Sequence, residues 1–205
     1  RTKKPIYLSS GMSSYAELDD TIKFLKNSGN ELSILQCTTS YPTKPEQWGF
    51  NVIKELKSRF QIPVGYSDHS GDIFACLGAT ALGADILEFH VVFDKMMFGP
   101  DTSSSIPISN VKTLLDGANQ IKIAIENPIN KNDISEQMKL KDIFEKSIAV
   151  NKDLEAGSKI SFEDLEAKKP SNKGIPAKLF KNVIGKRLKK KLLKWQFLTM
   201  NDIEE

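Results

Sequence analysis

The chain is short of the residues that build metal knuckles or disulfide scaffolds, with two cysteines and two histidines among 205 residues. Cys37 and Cys76 have neither knuckle nor framework spacing, which points to reduced thiols and a cytoplasmic setting. No apolar run approaches the roughly 20 residues of a membrane span and no signal peptide is visible, so no membrane partner is expected. A dominant charge is lacking too. The 29 Lys+Arg against 26 Asp+Glu leave a formal +3, too little to argue for nucleic acid. No glycine-rich phosphate fingerprint opens a helix, which weakens a nucleotide-binding layer. An initiator Met is also missing. The chain starts at Arg1 and runs almost at once into a strand-like segment, as a piece of something longer would.

What is present is a repeated grammar: a short β-type run, a loop rich in Ser, Gly, Thr or Pro, then a helical pattern. The runs are Pro5 to Ser9, Leu32 to Cys37, Pro63 to Tyr66 and Asp85 to His90. Their helices are predicted over Tyr15 to Ser28, Glu46 to Phe60, Asp72 to Leu82 and Asn110 to Glu126. Strands alternating with crossover helices imply a parallel sheet, either doubly wound or a barrel. The polar residues cluster just past the strands, where both architectures place active sites.

After about residue 126 the composition turns polar, and 127–145 reads as a linker with a short helix. From Lys146 the pattern changes to short strands, Ser147 to Val150, Leu165 to Lys168 and one near Leu198, with Gly157 and Gly185 at turns and Asp164 and Asp202 where the chain comes round. The expected division is therefore 1–126, a linker over 127–145, and a small β-rich domain over 146–205. At about 60 residues that domain is marginal alone and expected to lean on a partner surface. The run from Lys186 to Lys194 alternates Lys with Leu, which favours a solvated edge over a nucleic-acid contact.

His69 and His90, the only histidines, fall at the ends of adjacent predicted strands and face the same side. Neutral imidazoles suit a first-row divalent ion and leave positions for water and a substrate oxygen. Asp101 sits in a Gly-Pro turn beyond His90, where it either faces the cleft or serves as an ordinary turn residue. Asp68 either orients His69 or caps the following helix. Ser9, Thr39, Tyr41 and Ser67 lie just past strand ends and suit phosphate, carboxylate or sugar oxygens.

Four segments together carry a resemblance: Leu8-Ser9-Ser10-Gly11-Met12, Leu35 to Thr43 (LQCTTSYPT), Val64 to Ser70 (VGYSDHS), and Glu88-Phe89-His90 continuing to Gly99-Pro100-Asp101. In this order, and with the tail that follows, they resemble the sialic acid synthase family. The resemblance implies an α/β fold, the second half of a TIM (β/α)8 barrel followed by an antifreeze-like SAF domain. It implies a transferase that condenses phosphoenolpyruvate with an N-acylated hexosamine aldehyde and releases phosphate. It assigns His69 and His90 to a divalent metal, Mn2+ as a rule with Mg2+ or Co2+ as alternatives, and Asp101 to catalysis beside it. Ser9, Thr39, Tyr41, Ser67 and Lys169 become substrate-binding, Lys169 reaching the partner's barrel in a domain-swapped homodimer. Three departures stand out. Thr39 replaces an Asn found in relatives, Lys169 an Arg, and Trp195 a turn Gly; Lys keeps the charge of Arg but not its planar fork. Groups expected upstream of Arg1, a carboxylate and two lysines, would complete the site. The competing readings are a non-catalytic half-barrel scaffold or sugar-binding module, and another metal-assisted aldol condensation.

Overall fold

The computed structural model describes residues 2–204; Arg1 and Glu205, the outer ends of the two expected domains, lie outside them. The chain forms two compact units, Arg1–Pro128 and Ile129–Glu205.

In the first unit, β1 (Ile6–Ser9), β2 (Leu32–Cys37), β3 (Val64–Asp68), β4 (Leu87–Val92) and β5 (Ser105–Pro107) make one parallel sheet in chain order. The helices are α1 (Tyr15–Lys26), α2 (Phe50–Phe60), α3 (Phe74–Ala81) and α4 (Ile108–Glu126). Local chemistry sets their ends. Ser14 and Glu17 cap α1 reciprocally, with Ser14 N–H donating to Glu17 Oε2 at 2.7 Å and Glu17 N–H to Ser14 Oγ at 3.4 Å. The single helix expected over 46–60 is in fact a 3-10 turn, Pro45–Gln47, and then α2, because Gly49 between them takes a left-handed φ of 66°.

The expectation of four strands needs correcting. No α-helix follows β4 directly; a loop over residues 93–104, ending in the 3-10 turn Thr102–Ser104, leads first to β5. Three residues ending in Pro carry almost no strand signal, yet Ile106 is 1% exposed and packs with Cys76 and Leu114. Burial of that one side chain, worth about 2–3 kcal/mol, holds β5 against the helices.

Register-paired residues of a parallel sheet share a face. One face carries Leu8, Ile34, Val64, Tyr66 and Leu87, which pack with Ile53, Leu56, Phe60, Leu18 and Ile22 of α2 and α1. The other carries Ser9, Leu35, Cys37, Ser67, Glu88, His90 and Ser105. A sheet buried on both faces reads as a continuous apolar run; this one has a polar face, and the chemistry lies there.

In the second unit, α5 (Met138–Phe144) precedes β6 (Ser147–Val150), which pairs antiparallel with β7 (Leu165–Lys168). The strand expected near Leu198 is only a bridge, Ala149 to Phe197, with Leu198 N–H donating to Ile148 O at 2.8 Å. Ile148, Val150, Leu154, Ile160, Leu188, Leu192 and Leu198 form the core.

A pseudo-two-fold repeat underlies this unit. Lys152, Leu154, Gly157, Ser161 and Asp164 are answered in the same order and spacing by Lys190, Leu192, Trp195, Thr199 and Asp202. Leu154 and Leu192 exchange both backbone hydrogen bonds, at 2.8 and 2.9 Å. Gly157 N–H donates to Leu188 O and Trp195 N–H to Val150 O, each at 2.7 Å. Trp195 therefore takes the glycine role without rearranging the turn, at φ 74° against 81° for Gly157. That conformation is rare for a bulky residue; its ring lies under the Lys168 Nζ at 3.7 Å. The basic run divides as expected of a solvated edge, with Leu188 and Leu192 buried and Lys190 and Lys191 paired to Asp202 and Glu155.

Asp164 and Asp202 are buried mates in the repeat. Burial pushes each carboxyl up, but the Lys152 ammonium with Ser161, and the Lys190 ammonium with Thr199, more than offset it and hold both below the ordinary 3.8. A depressed carboxylate contributes stability above its unfolded pKa, and that contribution is lost as pH falls through the lower folded value. Thermal melts of the chain should show the second unit weakening below about pH 4, and Asp164→Asn with Asp202→Asn should flatten that acid limb; an unchanged limb would assign it to other groups. Gly157→Ala should cost about 1 kcal/mol in urea unfolding. No atom lies within 4 Å of the added methyl, so the backbone conformation alone is being tested.

Candidate functional site

The end of β3 and the middle of β4 create the site. Register pairs Ser67 with Glu88 and Asp68 with Phe89, so His69, one residue past β3, comes beside His90. Their ring centroids are 5.1 Å apart. The Tyr41 ring lies 4.2 Å from His69 and 5.9 Å from His90. Asp101 Oδ2 is 3.9 Å from His90 Nδ1, and Ser105 Oγ donates to Asp101 O at 2.7 Å. Tyr41, His69, His90 and Asp101 thus converge although the loop over 93–104 separates Asp101 from β4.

One imidazole nitrogen is engaged, and the other ring only faces a carboxylate across a gap too long for a hydrogen bond. His69 Nδ1 is 3.2 Å from Thr38 O, and His90 Nδ1 faces Asp101. Among the described hydrogen bonds neither Nε2 has a partner, which suits a ligand role for both rings. Among the described residues no three His, Cys, Asp or Glu side chains gather closely enough to hold an ion unaided. Any ion held by the pair would have to take its remaining ligands from water, substrate or other residues.

The hydroxyl residues are near the same strand ends. A methyl built on Gly11 would lie 2.6 Å from Thr39 Oγ1 and 3.4 Å from Ser9 Oγ, which places these two side chains around one point past β1 and β2. Ser67 is buried in β3 on the face of Glu88 and His90, whereas Ser9 and Thr39 are exposed. Lys169 is a residue of the second unit, exposed, with its Nζ 4.5 Å from the Phe144 ring centre. Tyr41 is half-exposed; partial burial, then the charges of Cys37, Asp101 and Glu88, push its phenol upward, so it remains a protonated donor at neutral pH.

Asp68 does neither thing expected of it. Its carboxylate accepts from Ser70 N–H at 3.0 Å and Ser70 Oγ at 2.8 Å, and so shapes the turn after His69. Burial pushes its pKa up despite those donors. Two supports are not among the site residues expected from the sequence. Ser10 Oγ donates to Gln36 Oε1 at 3.2 Å and accepts from Cys37 N–H at 3.1 Å, locking β1 to β2 below the site. Lys95 spans two loops, and only a fold that brings those loops together could reveal it. Both cysteines are free thiols, Cys76 buried and Cys37 half-buried.

Known proteins match along both units. The NeuB family model matches residues 1–130 and the SAF domain model residues 145–204. The chain is 35% identical to an N,N'-diacetyllegionaminic acid synthase of Campylobacter jejuni, over 91% of this chain and 56% of that protein. It is 30% identical to a pseudaminic acid synthase of the same species, over 100% and 59%. A crystal structure of N-acetylneuraminic acid (sialic acid) synthetase from Leptospira borgpetersenii serovar Hardjo-bovis, in complex with citrate, superposes with a TM-score of 0.60 at 30% identity, over 66% of this chain and 47% of that one. The chain spans about half the length of the curated relatives it matches. With the NeuB model spanning the whole of the first unit and the polar site lying within it, the chain belongs to the NeuB family and carries a SAF domain after it.

Proposed function

We propose that this chain is part of a nonulosonic acid synthase, a transferase that joins phosphoenolpyruvate to an N-acylated amino-sugar aldehyde and releases phosphate. The observation that carries the reading is the convergence of Tyr41, His69, His90 and Asp101 on the polar face of a parallel sheet, in a chain whose relatives are named as synthases of such acids.

In the reaction, C3 of the enol phosphate attacks the aldehyde carbon, water adds at C2, and the C2–O bond to phosphate is the one lost as the keto group forms. His69 and His90 would hold a divalent ion, Mn2+ by preference, which supplies Lewis-acid polarisation of the aldehyde oxygen. Asp101 is half-exposed and beside His90, where it could exchange a proton with the sugar oxygen or with the water that adds at C2. The Ser9, Thr39 and Ser67 hydroxyls suit the phosphate and carboxylate oxygens, and the Tyr41 phenol suits a sugar oxygen. Lys169 would approach the N-acyl end of the sugar from the partner of a homodimer, as a single point charge where a planar fork would make paired bonds.

The barrel belongs to this proposal. Among the described residues the sheet is open: β1 pairs with β2 on one side alone, and Tyr7 on β1 is 58% exposed. Preceding βα units would cover that edge and close a (β/α)8 barrel around the polar face, as parallel sheets require.

A phosphate-release assay on the complete protein tests the reading. Release should require phosphoenolpyruvate, an N-acylated hexosamine and a divalent metal, and should stop after chelation. His69→Ala and His90→Ala should each lower turnover by about 100-fold or more. Full turnover after chelation, or with either variant, would show the metal role to be wrong; sugar binding without phosphate release would favour a non-catalytic module.

A further inference from the structure

Two separate loops bring side chains to the site, the turn after β3 that begins with His69 and the long loop over residues 93–104 that carries Asp101. Among the described hydrogen bonds, one side chain joins them. Lys95 Nζ donates to Gly71 O at 3.0 Å, Ser103 O at 3.1 Å and Thr102 O at 3.5 Å. Gly71 sits at φ 75°, and a methyl there would collide with Ser103 O, so the two backbones are pressed together while the Gly71, Thr102 and Ser103 carbonyls converge on one ammonium. Carbonyl oxygens gathered round one point repel one another unless a donor or cation lies among them. A lysine ammonium, a compact charge with three rotatable donors, suits three carbonyls converging on one point; a guanidinium spreads its donors in a plane.

We propose that Lys95 is a positioning residue that locks the His69 turn to the Asp101 loop, so that the carboxylate is held beside His90. Thr102 and Ser103 follow Asp101 directly, and Ser104 N–H donates to Asp101 O at 3.0 Å, so clamping Thr102 and Ser103 restrains Asp101 itself. Lys95 touches neither His69 nor His90 in the described contacts. Its effect is carried by backbone.

The consequence for turnover rests on the synthase reading, but the coupling of the loops does not, and the experiment separates them. In the complete protein, Lys95→Ala removes a propylammonium-sized group, which n-propylammonium can replace. Amide hydrogen exchange should speed up together in residues 69–73 and 102–105 of the variant and return toward wild type with n-propylammonium. Mn2+ titration followed by electron paramagnetic resonance should show affinity weaker by about 10-fold or more. In the phosphate-release assay, kcat should fall about 10–100-fold with the KM for phosphoenolpyruvate little changed, and n-propylammonium should recover part of it. Faster exchange in 102–105 alone would overturn the proposal, as would wild-type exchange in both loops. Loss of kcat that n-propylammonium cannot restore, with a lowered melting temperature, would reduce Lys95 to a stabilising contact. Wild-type protein that releases no phosphate would defeat the synthase reading while the exchange measurement still decides the lock.

Discussion

The register between β3 and β4 is the constraint on which the site depends. With Ser67 opposite Glu88 and Asp68 opposite Phe89, the side chains that follow in step, His69 and His90, come within 5.1 Å and share a face. A slip of one residue would turn His90 toward the helices and bring Phe89 to the polar side. The apolar face prevents this, because Val64, Tyr66 and Leu87 must meet the core built on Ile53 and Leu56. Packing on one side of the sheet thereby fixes chemistry on the other.

Loops then finish what the strands begin. Tyr41 and Asp101 reach the histidines from segments with little regular structure, and each is held by bonds made elsewhere: Thr43 N–H donates to His69 O at 3.0 Å, and Ser105 Oγ holds Asp101 O. Hydrogen bonds of this sort contribute about 1 kcal/mol each. Their value here is that several act on the same few residues, so the site's geometry is shared between strand register and loop tethers. The SAF unit follows a different principle. Its small core is closed twice by the same device, a buried aspartate that caps its own turn and pairs with a lysine, and Trp195 departs from the repeat at the position where a glycine would be easiest.

Much of this was legible in the residues. Period-two and helical patterns place β2, β6 and β7 at their observed bounds and all four large helices within a few residues. His69 and His90 can be paired because strand-end positions in consecutive βα units are neighbours by rule. The parallel order follows from alternation alone. These features are local, and local sequence suffices for them.

Other features depend on contacts between distant segments. β5 exists because Ile106 finds Cys76 and Leu114, and nothing in Ser105-Ile106-Pro107 itself marks a strand. Asp68 turned to Ser70 because the chain bends back at Gly71, closer than either role expected of it. Lys95 is one surface lysine among many in the sequence and becomes a clamp only where two backbones converge. The sequence by itself determined the alternation of strands and helices, the family and the identity of the histidine pair, since these lie in short-range pattern. Tertiary structure alone decided which carbonyls, rings and carboxylates meet, because such contacts form between residues whose separation along the chain carries no signal of their distance in space.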